Sequence, residues 1–330
     1  MLNISTKVTS LLRLFPPEIS HLLALKLLDY GDSMGLKIIK ENSNKESVDL
    51  FGLKFKNRLG LAGGMDKNGE HINSLTNLGF GFLELGTVTP KPQPGNDKPR
   101  LFRDVENLSL INSMGFNNKG VTNLIENIKS STRKTKIMVS IGKNFNTPNE
   151  KAVFDYLNCF EKVVGVADLI SINVSSPNTK GLFHLQFEKR LPSLLSALKE
   201  SQLKYSEEYG YKPLIIKISP DLSNEDLNAI ALNLTKFKID GLIATNTSVE
   251  HDQKLGNGGL SGKLLYKKST ETLKFMRKKL GKDFPIIASG GVMDIDSYKK
   301  KLDSGADLIQ IYTGLIFYGP KLIQDILDSD

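Results

Sequence analysis

Residues 137–179 read IMVSIGKNFNTPNEKAVFDYLNCFEKVVGVADLISINVSSPNT, and this stretch holds one complete unit of the fold. Ile137 to Ile141 is a short apolar run that stops at Gly142. Ala152 to Val164 carries apolar residues at helical spacing, and Asp168 to Asn173 is a second apolar run that ends in a cluster of Asn, Ser and Pro. Neither run alternates strictly between apolar and polar residues, which is the pattern of strands buried on both faces of a parallel sheet. A helix of this length between them suits a right-handed crossover.

Outward from this unit the same kind of run recurs at Leu59 to Ala62, Gly81 to Leu85, Leu214 to Ile218, Gly241 to Ala244, Pro285 to Ala288 and Leu308 to Tyr312, eight runs in all. Helical patterns lie between them at Gln186 to Lys199, Asn224 to Lys236 and Leu264 to Leu280. Eight strand–helix units predict an α/β protein with a closed (β/α)8 TIM barrel. An open doubly wound sheet is the competing topology. Its dinucleotide turn is missing, because the first run is followed by AGGMDKNG (residues 62–69) where G-x-G-x-x-G is required, and no acidic residue closes the fingerprint.

Composition narrows the class. The chain has 330 residues, 39% of them apolar, which fits a globular protein and excludes collagen and disorder. With 44 Lys and Arg against 36 Asp and Glu the charge is +8, but the excess is lysine spread along the chain, so no nucleic-acid partner is expected. The single cysteine, Cys159, rules out an intrachain disulfide and a multi-thiolate site, and lies within a helical pattern as a small packing residue. His21, His71, His184 and His251 lack metal-ligand spacing, so no metal is assigned.

The first residues differ from the rest. Leu11, Leu12, Leu14 and Phe15 cluster, Pro16 and Pro17 break the cluster, and Ile19, Leu22, Leu23, Leu27 and Tyr30 recur at helical spacing up to Gly31. Two short amphipathic helices are predicted, which either pack on the main domain or lie on a membrane surface. The apolar stretch Leu22 to Leu28 contains Lys26 and is far short of the roughly 18 residues a membrane span requires.

In a barrel the chemistry collects just after each strand. The residues there are Gly63, Gly64, Met65, Asp66 and Lys67, then Gly86 and Thr87, then Gly142, Lys143 and Asn144, then Asn173 with Ser175, Ser176, Pro177, Asn178 and Thr179. Later strands add Lys217, Thr245, Asn246, Thr247, Ser289, Gly290, Gly291, Tyr312 and Thr313. Glycine loops after the last two strands occupy the usual phosphate position of this fold, although tight-turn glycine is the plainer reading of either alone. Asn112, Asn173, Asn178 and Asn246 offer donors and acceptors together, which suits a ring with alternating N–H and C=O groups. Lys67 and Lys217 add positive charge, for a substrate carboxylate and for charge developing on a cofactor.

These segments together resemble a known family. AGGMDKNGE, FLELGTVTPKPQPGNDKPRLFR, LINSMGFNNKG, NVSSPNTKGL, IKISPDL, GLIATNT, GGLSG, ASGGV and LIQIYTGLIF are similar, in order from about residue 13 to the C-terminus, to the quinone-dependent, membrane-associated class of dihydroorotate dehydrogenase. The resemblance implies a barrel that binds FMN, oxidises (S)-dihydroorotate to orotate in pyrimidine biosynthesis and passes electrons to a membrane quinone. FMN contacts are implied at Ala62, Gly63, Gly64, Met65, Asp66, Lys67, Thr87, Ser140, Asn173, Lys217, Thr245, Gly262, Gly291, Tyr312 and Thr313. Orotate contacts are implied at Lys67, Asn112, Ser113, Met114, Gly115, Phe116, Asn173, Asn178, Asn246 and Thr247, with Ser176 as catalytic base where the soluble class has cysteine.

Two departures stand out. Ser140 replaces an asparagine that commonly touches the flavin, which implies a weaker contact, and Ser113 replaces a commoner arginine. The resemblance also implies that residues 1–45 form a quinone tunnel resting on a membrane, with Arg103 at its inner end, and that residues 46–330 are the catalytic barrel. A bacterial chain of this kind is expected on the cytoplasmic face of the cell membrane. A soluble fumarate- or NAD-linked relative, an RNA-acting flavin barrel and a non-catalytic barrel are the rival readings.

Overall fold

The structure, a computed structural model, describes residues 2–40, 47–132, 134–179, 181–186, 190–252, 254 and 256–329. Helix α1 (Leu2–Leu12) is followed by α2 (Pro17–Ser33) and a hairpin, β1 (Val48–Leu50) and β2 (Leu53–Phe55). Then come β3 (Leu59–Leu61), α3 (Ile72–Thr76), β4 (Phe82–Val88), β5 (Leu101–Asp104), β6 (Ser109–Asn112), α4 (Val121–Ser130), β7 (Lys136–Ile141) and α5 (Ala152–Val163). Next are β8 (Leu169–Asn173), α6 (Arg190–Tyr209), β9 (Leu214–Ile218), α7 (Asn224–Lys236), β10 (Gly241–Ala244), β11 (Gly259–Gly262) and α8 (Tyr266–Leu280). The chain closes with β12 (Ile286–Ser289), α9 (Ile295–Asp303), β13 (Leu308–Ile311), α10 (Thr313–Tyr318) and α11 (Pro320–Ser329).

Eight of these strands close a barrel in the order β10-β12-β13-β3-β4-β7-β8-β9, every pair parallel. The predicted runs become these strands with ends shifted by a residue or so. β4 is the exception: it runs on to Val88 because Val88 still pairs with Ile141 across an irregularity. The floor of the barrel is a ring of Phe55, Phe82, Met138, Leu169, Ile215, Ile243, Ile287 and Leu308, closed from below by the β1–β2 hairpin. Phe55 meets Phe82 edge to face at 5.7 Å. With its floor sealed by apolar side chains, the barrel opens at the strand C-termini, where a three-stranded sheet, β11-β6-β5, forms one wall.

Helix ends follow their caps. Ser223 and Asp226 form a reciprocal capping box that starts α7, and Asp294 and Ser297 form another that starts α9, each worth about 1 kcal/mol. The helix predicted at Gln186 to Lys199 is observed as α6 from Arg190, continuing to Tyr209; residues 187–189 lie outside the described residues.

The N-terminal prediction needs correction in detail. α1 ends at Leu12, and Leu14 and Phe15 stand in the turn to α2, where Ser20 Oγ donates to the Leu12 carbonyl at 2.6 Å. Pro17 is the first residue of α2, where a missing N–H costs nothing. α2 then passes through Gly31 to Ser33. His71 Nδ1 and Ser74 Oγ both meet the Asp29 carboxylate at 2.6 Å, fastening α2 to α3. The expected boundary between residues 45 and 46 lies outside the described residues. Among the described residues no helix is long and apolar enough to cross a membrane.

Candidate active site

The mouth of the barrel holds a cleft of about 140 Å³. Ala62, Gly63, Gly64, Lys67, Thr87, Lys217, Thr245, Gly262, Gly291, Tyr312 and Thr313 line it, as do Asn112, Met114, Gly115, Phe116, Asn173, Ser176, Asn178, Asn246 and Thr247. Residues from seven of the eight barrel strands and their loops therefore converge here, whereas Gly142, Lys143 and Asn144 after β7 do not line the cleft.

One half of the cleft is walled by backbone. Gly291, at φ 82°, lies so close to α8 that a Cβ there would stand 2.3 Å from Tyr266 Cα, so only glycine lets the loop after β12 pass. Ser261 and Thr313 hydroxyls pair at 2.8 Å at its edge.

The other half is an amide network. Asn173, at the end of β8, donates to Thr87 Oγ1 at 2.7 Å. Asn246 donates to Ser175 Oγ at 3.0 Å and to Asn173 Oδ1 at 3.3 Å. Asn178 donates to Asn112 Oδ1 at 3.0 Å, and Asn112 donates to the Gly259 carbonyl at 3.2 Å. The four asparagines thus form two hydrogen-bonded pairs, Asn173 with Asn246 and Asn112 with Asn178, from β6, β8 and the loops after β8 and β10. Ser176, 7% exposed, accepts from the Asn178 amide at 3.4 Å. No carboxylate or imidazole is bonded to its hydroxyl among the described residues. Lys67 Nζ donates to the Gly64 carbonyl at 3.0 Å. Burial and the neighbouring Arg100 push its pKa down to about 8.

Sequence reasoning missed the acid at the floor of this cleft. Glu84, fully buried in β4, accepts from Gly63 N at 2.9 Å, Gln310 Nε2 at 2.9 Å and Lys217 Nζ at 3.1 Å through Oε2, and from Ser171 Oγ at 2.8 Å through Oε1. Burial drives its pKa upward, but the Lys217 ammonium, the Gly63 amide and the Ser171 hydroxyl outweigh that and hold it below the usual carboxylate range. A lone Glu within FLELGTV was the available signal, since a charge inside an apolar strand must point into the barrel.

Several implied contacts are not in the cleft. Asp66 is buried with its carboxylate on the Glu70 and His71 amides, at 3.0 and 2.8 Å, where it organises the start of α3. Ser140 lies behind Thr87, hydroxyl to hydroxyl at 2.9 Å, so it supports a wall residue and does not reach the cleft. Ser113 contributes its backbone: its amide donates to Arg100 O at 2.8 Å and its carbonyl accepts from Asn96 at 2.9 Å. Nothing in the structure explains serine in place of arginine there. Cys159 is fully buried in α5, and burial pushes its thiol up, which removes it from nucleophilic chemistry.

Met65 faces a second cavity, of about 580 Å³, between α1, α2 and the barrel. The two cavities stand back to back: Gly64 walls the first and Met65 the second, Gly314 the first and Leu315 the second. Leu12, Ala24, Leu25, Leu28 and Ile316 make the second cavity largely apolar, and Arg103, His21, Arg13 and Ser20 are among its polar features. Arg103 donates through Nη1 to the Arg13 carbonyl at 2.7 Å and through Nη2 to Ser20 Oγ at 3.2 Å, while its buried Nε has no partner. Burial pushes His21 down to about 4, so the imidazole is neutral near pH 7. Arg100 bonds the Pro94 and Asn96 carbonyls and the Glu18 carboxylate of α2, tying the second cavity's wall to the loop that supports the amide network. Among the described residues no cluster of His, Cys, Asp or Glu is placed to hold a metal.

Comparison with known proteins agrees with this geometry. Residues 46–329 match the family described as dihydroorotate dehydrogenase. A dihydroorotate dehydrogenase (quinone) of Aliivibrio fischeri strain MJ11 is 47% identical over 320 residues, covering 94% of this chain and 95% of its own. One from Idiomarina loihiensis is 46% identical over 318 residues, with the same coverage. A DHODH of Eimeria tenella solved with ferulenol superposes with a TM-score of 0.86 at 33% identity, over 94% of this chain and 90% of that one. A polar cleft and an apolar cavity back to back, on a barrel that matches these proteins almost end to end, place the chain in the dihydroorotate dehydrogenase family.

Proposed function

We propose that the protein oxidises (S)-dihydroorotate to orotate, with FMN as prosthetic group and a membrane quinone as electron acceptor. The observation that carries this reading is the convergence of Asn112, Asn173, Asn178 and Asn246 with Lys67 and Ser176 in one cleft. The residues fit a flavin nucleotide. Gln310 Oε1 lines the cleft floor buried and without a donor, Lys217 supplies a cation there, and glycine loops leave backbone room beside them. FMN, when bound, supplies the acceptor for the hydride that leaves C6 of the substrate.

The chain's own residues do the rest. Lys67 meets the substrate carboxylate, and the asparagine pairs present donors and acceptors to the pyrimidine ring, fixing its plane. Ser176 takes the proton from C5 as the ring double bond forms. A serine hydroxyl is a weak base, so it needs a relay; Thr179 Oγ1, buried and unpartnered in the same loop, is a candidate for the next step. The second cavity receives the quinone, with Arg103 Nε as the donor awaiting a carbonyl. Leu14, Leu22, Leu27 and Tyr30 are exposed on the flank of the same helical extension and suit an interfacial surface, so residues 1–45 are assigned to the membrane and residues 46–330 to the barrel.

Anaerobic titration of the purified yellow protein with dihydroorotate tests the proposal. Flavin absorbance should bleach with one equivalent per site and return on addition of a soluble quinone. A colourless protein, or a flavin that ignores dihydroorotate, would end it.

A further inference from the structure

The chemistry above makes no use of Lys301, which stands on α9 with 0% of its surface exposed. A lysine is almost never buried so completely without a partner anion. Its Nζ donates to Ser269 Oγ at 2.7 Å and lies 5.2 Å from the centre of the Tyr266 ring, both on α8. No carboxylate among the described residues reaches it. On the neighbouring elements Arg277 of α8 pairs with Asp307 before β13, Lys321 with Asp325 on α11 and Asp328 with Gln324, while Glu271 and Lys274 of α8 are exposed to solvent.

The surroundings of this ammonium lead to the cleft. Ser269 donates to the Gly290 carbonyl at 3.0 Å or to the Tyr266 carbonyl at 3.1 Å. Gly290 and Gly291 wall the cleft, and Gly291 backs directly onto Tyr266. Lys301 is therefore the cation behind the loop whose front faces the ligand. Lys217, buried at the base of the cleft, already has Glu84 as its counterion.

We infer that Lys301 is a positioning residue and built-in countercharge for the phosphate of the flavin nucleotide, acting from behind the Gly290–Gly291 loop, so that phosphate binding and protonation of Lys301 are coupled. This rests on the FMN reading above. Loss of water alone pushes the ammonium down to about 7, so near neutrality the site without an anion holds it only partly charged. A phosphate at the loop favours the charged form and raises that value. The coupling is then fully present at low pH, and is lost as pH rises through the raised value.

The test compares FMN with riboflavin, which lacks the phosphate, on the full chain by flavin fluorescence. Lys301→Met should weaken FMN by at least about tenfold near neutral pH, the equivalent of one pKa unit of coupling, and leave riboflavin within about twofold. In the wild type the preference for FMN over riboflavin should decline with rising pH, and in the variant it should be flat. An unchanged preference in Lys301→Met, or equal loss of both flavins, would overturn the inference. Should the variant not fold, calorimetry of the wild type at mildly alkaline pH, in buffers of different ionisation heat, decides: FMN must take up more protons than riboflavin, and equal uptake refutes the coupling. A wild type that binds neither flavin contradicts the proposed function instead.

Discussion

Replacing Glu84 with glutamine removes one charge from the floor of the cleft while keeping its shape. Oε2 accepts three donors, from Gly63, Gln310 and Lys217, whereas Oε1 accepts only the Ser171 hydroxyl. The glutamine oxygen can therefore stay at the Oε2 position and its NH2 can face Ser171, whose hydroxyl turns to accept. Geometry survives and the counterion of Lys217 does not. Stranding one member of a buried pair costs about 3–5 kcal/mol. At about 0.7 kcal/mol per degree for a chain of 330 residues, the melting temperature should fall by about 4–7 °C at pH 7. Because Glu84 is held below the usual carboxylate range, its contribution is present above that range and is lost as pH falls through its lowered value, so wild type and variant should converge on acidification. Scanning calorimetry of wild type, Glu84→Gln and the double variant Glu84→Gln/Lys217→Met checks this, with the double variant recovering part of the loss. A Glu84→Gln protein that melts within a degree of wild type would refute the pairing argument.

Other perturbations separate the remaining roles. Ser176→Ala should keep its flavin yet slow flavin reduction by dihydroorotate by about a hundredfold or more in stopped flow, and near-normal reduction would remove Ser176 as base. With Lys67 at about 8, the KM for dihydroorotate should be flat below that pH and rise by up to about tenfold per unit above it, as the cation that meets the carboxylate is lost; a flat profile to pH 9.5 would contradict the assignment. Deleting residues 1–40 removes α1, α2 and with them most of the apolar cavity. The truncated protein should lose quinone turnover while a soluble dye still accepts electrons, and retained quinone turnover would count against the tunnel.

The barrel was legible because its strands are continuous apolar runs, and a strand buried on both faces tolerates little else: Leu214–Ile218 and Gly241–Ala244 are located to the residue. Residues at strand ends were legible for the same reason, since the polarity of Asn173 or Thr245 contrasts with the run before it. Two kinds of residue were not. Met65 and Asp66 lie in the same loop as Gly64 and Lys67, yet the loop turns its side chains to different sides, and linear spacing carries no record of that turn. Ser140 shows the limit from within a strand: β7 places it in the barrel, but Thr87 stands between it and the cleft.

Glu84 and Gln310 were passed over because they sit inside apolar runs, and yet that is where the site's electrostatics are set. A closed barrel has one interior, so the inward positions of β4, β8, β9 and β13 must meet one another: Glu84, Ser171, Lys217 and Gln310 do so although they are scattered along the sequence. Each alone would be an unpaired polar group in an apolar core, and each is explained only by the others. The same closure leaves Gln310 Oε1 and Lys217 at the base of the cleft, one lacking a donor and the other carrying charge beneath whatever binds above. The polar floor is thus a preorganised counterpart for a ring with its own donors and acceptors. Filling it with apolar side chains of equal volume should keep the barrel folded while abolishing flavin binding.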